Sequence, residues 1–276
     1  MLADALPALH CPMCRTTLSL QAAVVRCIRG HTYDVARHGY VSLLTGAGSA
    51  SHADTPGMVA ARERFLAGGH YDHFTSGITR AAATVGADGF VVDAGAGTGR
   101  HLAAVVDRVG ADGIALDLSK HAARRAARAH PRVGAVVCDT WQALPVRDGV
   151  ASLVLDVFAP RNPPEFHRVL RPGGHLIVVT ARADHLRELT DPLGLLTVAP
   201  DKDQRTDDVL TSRFRLLDRV ALTAHLELPH DAVNDLVQMG PSAWHTDPET
   251  VRRRIADMPG PVQVTAAASL SVYRAV

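Results

Sequence analysis

The stretch Phe90-Val91-Val92-Asp93-Ala94-Gly95-Ala96-Gly97-Thr98-Gly99-Arg100 decides how this chain is built. Residues 90–93 read as a short strand, and Leu102, Val105, Val106 and Val109 beyond the glycines fall at helical spacing. Strand, glycine turn and helix start, in that order, make a cradle where backbone N–H groups can approach a ligand. A dinucleotide fingerprint would need glycine at position 100, where Arg100 stands, and no phosphate-loop lysine follows the turn.

Outward from the turn the chain alternates. Strands over 114–116, 135–138, 151–157 and 175–180, with helices over 119–130 and 163–170, predict a doubly wound parallel sheet of the Rossmann-like α/β class. Segments 262–266 and 270–273, split by Ala267-Ala268-Ser269, read as an antiparallel last strand pair after helices over 230–239 and 248–256. Residues 189–218 are charged and poor in apolar positions, so a mobile insertion near the site is expected there. Upstream, helices over 57–66 and 71–84 flank Gly68-Gly69, residues 39–44 are β-prone, and 45–55 reads as a linker.

Two acids follow the sheet pattern. Asp117 ends the second strand about 20 residues beyond the glycines, where a carboxylate can accept both ribose hydroxyls of a nucleoside. Asp139 follows the third strand beside Thr140. Either acid can equally be a helix cap or turn residue.

The beginning of the chain carries a separate signal. Cys11-Pro12-Met13-Cys14 is followed twelve residues on by Cys27 and then His31, which is C-x2-C and C-x3-H in two turns. Four soft or borderline ligands in two knuckles suit tetrahedral Zn2+. With every position filled by protein there is no place for a catalytic water, so the metal is expected to be structural, holding a module whose short β segments include 22–26. The alternative is a disulfide with a free thiol. Against it stand the odd count of three cysteines within the first 27 residues, the distance to Cys138, and a first ten residues without a basic, apolar leader.

Composition narrows the partners. The 276 residues are 47% hydrophobic with a net charge of +1, enough for one large domain with an appendage, and no apolar run approaches membrane-spanning length. A cytoplasmic protein without membrane contact is expected. Any nucleic-acid contact must come from local patches. Three arginine sets offer them: Arg15, Arg26, Arg29 and Arg37 by the knuckle; Arg124, Arg125, Arg128 and Arg132; and Arg252, Arg253 and Arg254. The second and third sets can equally be solvated helix faces.

In the form Asp93-x-Gly95-x-Gly97-x-Gly99 the turn resembles motif I of class I S-adenosylmethionine-dependent methyltransferases. With its flanks, nearly the whole chain resembles the bacterial 23S ribosomal RNA guanine-N1 methyltransferases, including those of tylosin-type macrolide resistance. The resemblance rests on the cysteine knuckle, Tyr33-Asp34-Val35-Ala36, Gly39-Tyr40-Val41-Ser42-Leu43-Leu44, Arg62-x-x-Phe65-Leu66-x-x-Gly69-His70-Tyr71, Phe158-Ala159-Pro160, His185-Leu186-x-Glu188-Leu189 and Met239-Gly240-Pro241-x-Ala243-Trp244.

That resemblance implies a zinc-binding, RNA-recognising module over 1–36, a linker and helix over 37–70, and a class I methyltransferase domain over 71–276. It implies zinc on Cys11, Cys14, Cys27 and His31. S-adenosylmethionine would contact Tyr71, Asp93, Gly95, Gly97, Thr98, Gly99, Asp117, Asp139 and His185, with Asp117 on the ribose and Asp139 at the adenine amine. By spacing alone Tyr71 reads as a core aromatic and His185 as a helix-surface histidine. The implied substrate is a guanine in the hairpin 35 loop of 23S rRNA, met by a homodimer.

The chemistry asks little of side chains, because the sulfonium methyl is already activated and the nucleophile needs chiefly positioning. Guanine N1 must also lose its proton, and the end of the fourth strand is the natural place for an acceptor. Asp156 and the carbonyls of Phe158 and Ala159 are candidates. Phe158 can stack on an unstacked base or be a core phenylalanine; the family form carries tyrosine there, and Asp156 has no matched family position. Two other classes use parts of this equipment: a methyltransferase of a small molecule such as a polyketide, and a non-catalytic zinc RNA-binding protein. The first has no need of the knuckle, and the second none of an intact glycine turn with Asp117.

Overall fold

A computed structural model describes residues 1–45 and 53–276, so most of the expected 45–55 linker lies outside the described residues. Helix α1 (Leu2–Ala5) leads into a three-stranded antiparallel sheet of β1 (Leu18–Gln21), β2 (Val24–Cys27) and β3 (Thr32–Asp34). The strand expected over 22–26 starts at Val24 instead, because Ala22, at φ 54, belongs to the β1–β2 turn. Then come β4 (Tyr40–Ser42), α2 (Pro56–Ala67) and α3 (Asp72–Thr84). Thr55 caps α2 by accepting the Met58 N–H, and Pro56 occupies the first turn, where its missing N–H costs nothing.

The alternating part follows as β5 (Phe90–Ala94), α4 (Arg100–Val109), β6 (Asp112–Asp117), α5 (Lys120–Ala129), β7 (Val133–Val137), β8 (Ala151–Val157), α6 (Pro163–Val169) and β9 (Leu170–Ala181). The chain closes with α7 (Arg187–Leu193), α8 (Lys202–Leu210), β10 (Phe214–Leu228), α9 (His230–Gln238), α10 (Pro248–Ala256) and β11 (Val262–Ala275). One eight-stranded sheet runs in the order β10-β11-β9-β8-β5-β6-β7-β4. The pairs from β9 to β4 are parallel and β11 is antiparallel to both neighbours. The strand order reverses between β5 and β8, which places a ligand crevice at their carboxyl ends.

Two expectations at the C-terminal side change. Segments 262–266 and 270–273 are not a pair but one strand, β11, lying between β10 and β9. Ala266, Ala267 and Ala268 are all buried, so the small residues that suggested a turn instead pack on both faces of a central strand. Residues 189–218 are also ordered, carrying most of α7, all of α8 and the start of β10. Polar contacts take the place of an apolar stripe on α8. Asp203 accepts from Thr180 (3.0 Å) and Ser269 (2.6 Å), and Asp207 accepts from Tyr273 (2.7 Å) and Arg219 (2.6 Å).

The first residues complete the core. Residues 138–150, all described, link β7 to β8 without a helix, and α1 covers that face instead. Glycine at 134 permits this approach, since a Cβ there would stand 2.5 Å from the Ala5 Cβ. Leu2, Leu6 and Leu9 are buried in one cluster with Ile114, Leu116 and Val136, each contributing roughly 1.5–3 kcal/mol. Strand β4 extends the same sheet by pairing Val41 with Val136. Among the described residues no helix is long and apolar enough to cross a membrane.

Candidate active site and metal centre

Above β5 the turn folds as its glycines demand. Gly95 and Gly99 take φ of 89 and 77, and added Cβ atoms would stand 2.6 Å from the Ala159 Cβ and 2.9 Å from the Ala126 Cα. The Gly97 N–H donates to Asp117 Oδ2 and the Ser119 N–H to Asp117 Oδ1, each at 2.8 Å. Burial raises the Asp117 carboxyl to about 6 despite these two donors. Asp93, 2% exposed, has no partner for Oδ1, and burial together with the Asp117 charge raises it to about 8. Two desolvated acids beside a glycine turn suit a ligand that brings positive charge and hydroxyl donors.

An aromatic wall stands over the turn. Tyr71 caps the start of α3, with its ring 4.8 Å from that of Phe74 and 6.5 Å from that of Phe158. His185 Nδ1 accepts the Ala267 N–H at 3.1 Å, and burial drives its pKa down to about 4. The neutral ring therefore carries its proton on Nε2, which faces the Tyr71 hydroxyl at 3.4 Å and leaves that hydroxyl free to donate. Phe158 sits at φ 53 and is 43% exposed, its ring 5.6 Å from Phe74 and within 21° of parallel to His185. Turn and wall thus bring together Tyr71, Phe158 and His185 from segments far apart in sequence.

Other expected residues take plainer positions. Thr98 is half-buried in the turn. Asp139 Oδ1 accepts the Trp141 N–H at 3.0 Å, which is the turn role the sequence also allowed. Asp156 lies wholly buried on the sheet face opposite Leu155, which pairs with Asp93. Neither of its oxygens has a hydrogen-bond partner, Arg161 Nε is 3.7 Å away, and burial holds the carboxyl well above the usual range.

No site role was expected for Asp54, and Arg62 stood only as the first residue of one segment of the family resemblance. Arg62 donates to Asp54 Oδ2 at 2.5 Å and to the Met239 carbonyl at 2.8 Å, while the Asp54 carbonyl accepts from Ser119 Oγ at 2.7 Å. The guanidinium lies 3.2 Å from where a Cβ on Gly97 would be, so the linker segment closes over the turn. The available signal was the arginine opening Arg62-x-x-Phe65-Leu66.

The metal ligands converge. One donor atom from each of Cys11, Cys14, Cys27 and His31 lies within 4.8 Å of the others. Cys14 Sγ and Cys27 Sγ are 3.7 Å apart, and His31 Nδ1 is 3.5 Å from Cys11 Sγ and 3.4 Å from Cys27 Sγ. Tetrahedral Zn–S bonds of about 2.3 Å put neighbouring sulfurs about 3.8 Å apart, so the quartet fits zinc with no open position. Hydroxyls of Tyr33 and Thr16 reach Cys11 Sγ and Cys14 Sγ at 3.1 Å each. Cys138 is buried elsewhere, its thiol pushed up by burial.

Residues 9–46 match a zinc-ribbon family model described as RlmA, N-terminal, and residues 91–174 match a methyltransferase domain model. A solved structure named for a methyltransferase from Bacillus halodurans shares the fold, with a TM-score of 0.51 at 16% identity over 72% of this chain and 97% of that one. The cradle and quartet are those of a protein that takes S-adenosylmethionine and zinc. A Micromonospora griseorubida relative bearing the name of a 23S rRNA (guanine-N(1)-)-methyltransferase is 52% identical over 99% of each chain. A Streptomyces fradiae relative, named 23S rRNA (guanine(748)-N(1))-methyltransferase, is 50% identical over 96% of each. By these full-length similarities the chain belongs to the 23S rRNA guanine-N1 methyltransferase family.

Proposed function

We propose that this protein transfers a methyl group from S-adenosylmethionine to N1 of a guanine in the hairpin 35 loop of 23S rRNA, and that this modification confers tylosin-type macrolide resistance. The observation that carries the reading is the joining of a closed zinc quartet to an intact cofactor cradle in one chain about half identical to a named guanine 748 methyltransferase. Guanine 748 is accordingly the base we assign. The division of labour is a zinc module over 1–36 that grips RNA, a link over 37–70, and a transfer domain over 71–276, acting in the cytoplasm as a homodimer.

Within the site, Asp117 would accept the ribose hydroxyls, Asp93 would face the cationic end of the cofactor, and Asp139 would take the adenine amine. Gly95, Gly97, Thr98 and Gly99 supply the backbone floor, and Tyr71 and His185 supply the wall. The cofactor's contribution is an electrophilic methyl group on a sulfonium. Phe158 would stack on the unstacked guanine and hold N1 in line. The cofactor would supply the methyl carbon for a new bond to N1, its S–CH3 bond breaking as that bond forms. The N1 proton would pass to solvent, with a carbonyl at Phe158 or Ala159 accepting the N1–H hydrogen bond that holds the base in line; buried Asp156 supports this end of the strand from behind.

The test is direct. The protein is incubated with methyl-labelled S-adenosylmethionine and either protein-free 23S rRNA or a panel of macrolides, and reverse-transcription stops are mapped on the RNA. Label in RNA with a stop at guanine 748 is expected. Label in a macrolide alone would move the acceptor to small molecules, and label in neither would end the enzymatic reading.

A further inference from the structure

Away from the cradle's mouth, a groove of about 560 Å3 runs between α4 and α5 under the edge of α2. Its floor includes Ala103, Ala104 and Ala129, and guanidinium groups rise along it from Arg100, Arg124, Arg125 and Arg128. At one end stands Thr98 of the glycine turn. The small floor residues leave room at the bottom, and cations from two helices line one space. A solvated face would display the charges of one helix to open water.

The link region adds to this charge. Arg37 Nε approaches His38 Nε2 at 3.1 Å, and Arg128 Nη2 approaches His38 Nδ1 at 2.9 Å. A neutral imidazole accepts on one nitrogen only, so one of these guanidinium N–H groups has no acceptor there. Desolvation, together with the charges of Arg124, Arg128 and Arg37, holds the His38 pKa below its ordinary value, so the ring stays neutral and offers that single acceptor. Arg124 has neither a hydrogen-bond nor an ion-pair partner among the described residues.

Among the described residues two carboxylates answer. Glu63 meets Arg125 at 3.1 Å and Asp72 meets Arg100 at 2.9 Å, both in exposed pairs of the kind worth about 1 kcal/mol or less. Five arginines against two acids leave a surplus of three positive charges here, in a chain whose whole net charge is +1. Phosphate oxygens form charge-assisted, often bidentate bonds with guanidinium and can compete with such exposed pairs. Two other arginines of the same sets are committed elsewhere: Arg132 donates to the Val106 carbonyl and Arg15 pairs with Asp148.

We infer that this groove, with Arg37 at its rim, is a second RNA-docking surface that holds phosphodiester groups of the substrate strand beside the glycine turn. The inference rests on the RNA methyltransferase reading. It assigns α5 to backbone positioning, which carries no sequence information by itself.

Binding of a 23S rRNA fragment that the protein methylates is measured against KCl concentration, with affinity for S-adenosylhomocysteine measured in parallel. The full chain is compared with Arg124→Gln, with Arg124→Gln/Arg128→Gln, and with Arg252→Gln/Arg253→Gln on α10 as a charge-matched control. Each released phosphate contact contributes roughly 0.7–0.9 to the slope of log K against log salt. The α5 pair is expected to flatten that slope by about 1.5 and to weaken RNA binding about tenfold or more at low salt, the single variant giving half the slope change. Affinity for S-adenosylhomocysteine should stay within about twofold, and the α10 pair should leave all values near the parent's. Parental slope and affinity in the α5 variants, or equal losses from the α10 pair, would overturn the groove while leaving the enzyme reading intact. A parent that neither binds nor methylates the fragment would overturn both.

Discussion

The Asp117 carboxylate binds the glycine turn on both sides, taking the Gly97 N–H on Oδ2 and the Ser119 N–H on Oδ1, each at 2.8 Å. One acid therefore shapes the cradle before any ligand arrives; in the proposed function its remaining lone pairs would take the ribose hydroxyls.

Asp117→Asn should accordingly weaken S-adenosylhomocysteine binding by about 10- to 100-fold, the cost of about 1–3 kcal/mol for losing a charged acceptor and facing one backbone N–H with an amide N–H. The pH profile separates the charge from the shape. Because the free carboxyl titrates near 6 and the hydroxyls favour its ionised form, affinity should be flat above pH 7 and fall toward tenfold per unit below 6. Calorimetric titration from pH 5 to 8 checks this, and a parent-like slope in Asp117→Asn would assign the dependence to another group.

Asp93 makes a prediction about stability. Its pKa rises from 3.8 when unfolded to about 8 when folded, so between those values the folded chain binds the extra proton. Stability from this group is complete below about pH 4 and is lost as pH climbs toward 8. Asp93→Asn removes the penalty of a buried charge, so it should match the parent near pH 4 and exceed it at pH 8 by roughly 5 kcal/mol. Thermal melts at both pH values measure the difference. The same variant should bind cofactor more weakly, since it lacks the negative charge for the sulfonium end.

Phe158 is held in the left-handed region and 43% exposed, an unfavourable pose for an aromatic side chain unless something covers it. Phe158→Ala should cut methylation of 23S rRNA by about 10- to 100-fold, the worth of about 1–3 kcal/mol for one stacked base. S-adenosylhomocysteine affinity should hold, and Phe158→Tyr should keep most activity. Equal loss in both variants would mean that the ring serves packing against Phe74.

Asp156 tests the other reading of the fourth strand's end. Wholly buried on the far face, it should tolerate Asp156→Asn with methylation within about fivefold of the parent and an unchanged pH-rate profile. A loss above about 100-fold with a flattened alkaline or acid limb would make it the proton acceptor instead.

The central strands were legible because an isolated apolar run bounded by glycine or acid has few other readings, and residues 151–157 came out to the residue. Metal spacing was equally legible, since ligand number and geometry constrain it tightly. Residues 262–275 misled because alanine looks alike in a turn and in a doubly covered strand, and only neighbours on both sides decide between them. Helix α8 was hidden for the opposite reason: Asp203 and Asp207 dock it through hydrogen bonds, which leave no apolar period to count. Tyr71 and His185 stand 114 positions apart in sequence and meet only through the fold, so no local pattern joins them.

The zinc quartet and the sheet share one apolar cluster, in which Cys11, Leu18, Val25 and Cys27 pack with Leu9, Val41 and Val146. Residues 2–9, however, reach the sheet without the metal: α1 packs on β6 and β7, Leu2, Leu6 and Leu9 are buried in the cluster, and the His10 N–H donates to the Pro145 carbonyl at 3.0 Å. Removing zinc should therefore unravel β1 to β3 while α1 stays docked. Chelation, or Cys14→Ser, is expected to abolish RNA binding, to lower the melting temperature by a few degrees, and to leave S-adenosylhomocysteine affinity within about threefold. Metal content by atomic absorption, RNA retention and calorimetry on the same sample read the three effects together. Parallel loss of cofactor and RNA binding would show instead that the metal holds the whole chain folded, because Cys11 and Cys27 would then be anchoring the sheet's edge as well as the knuckle.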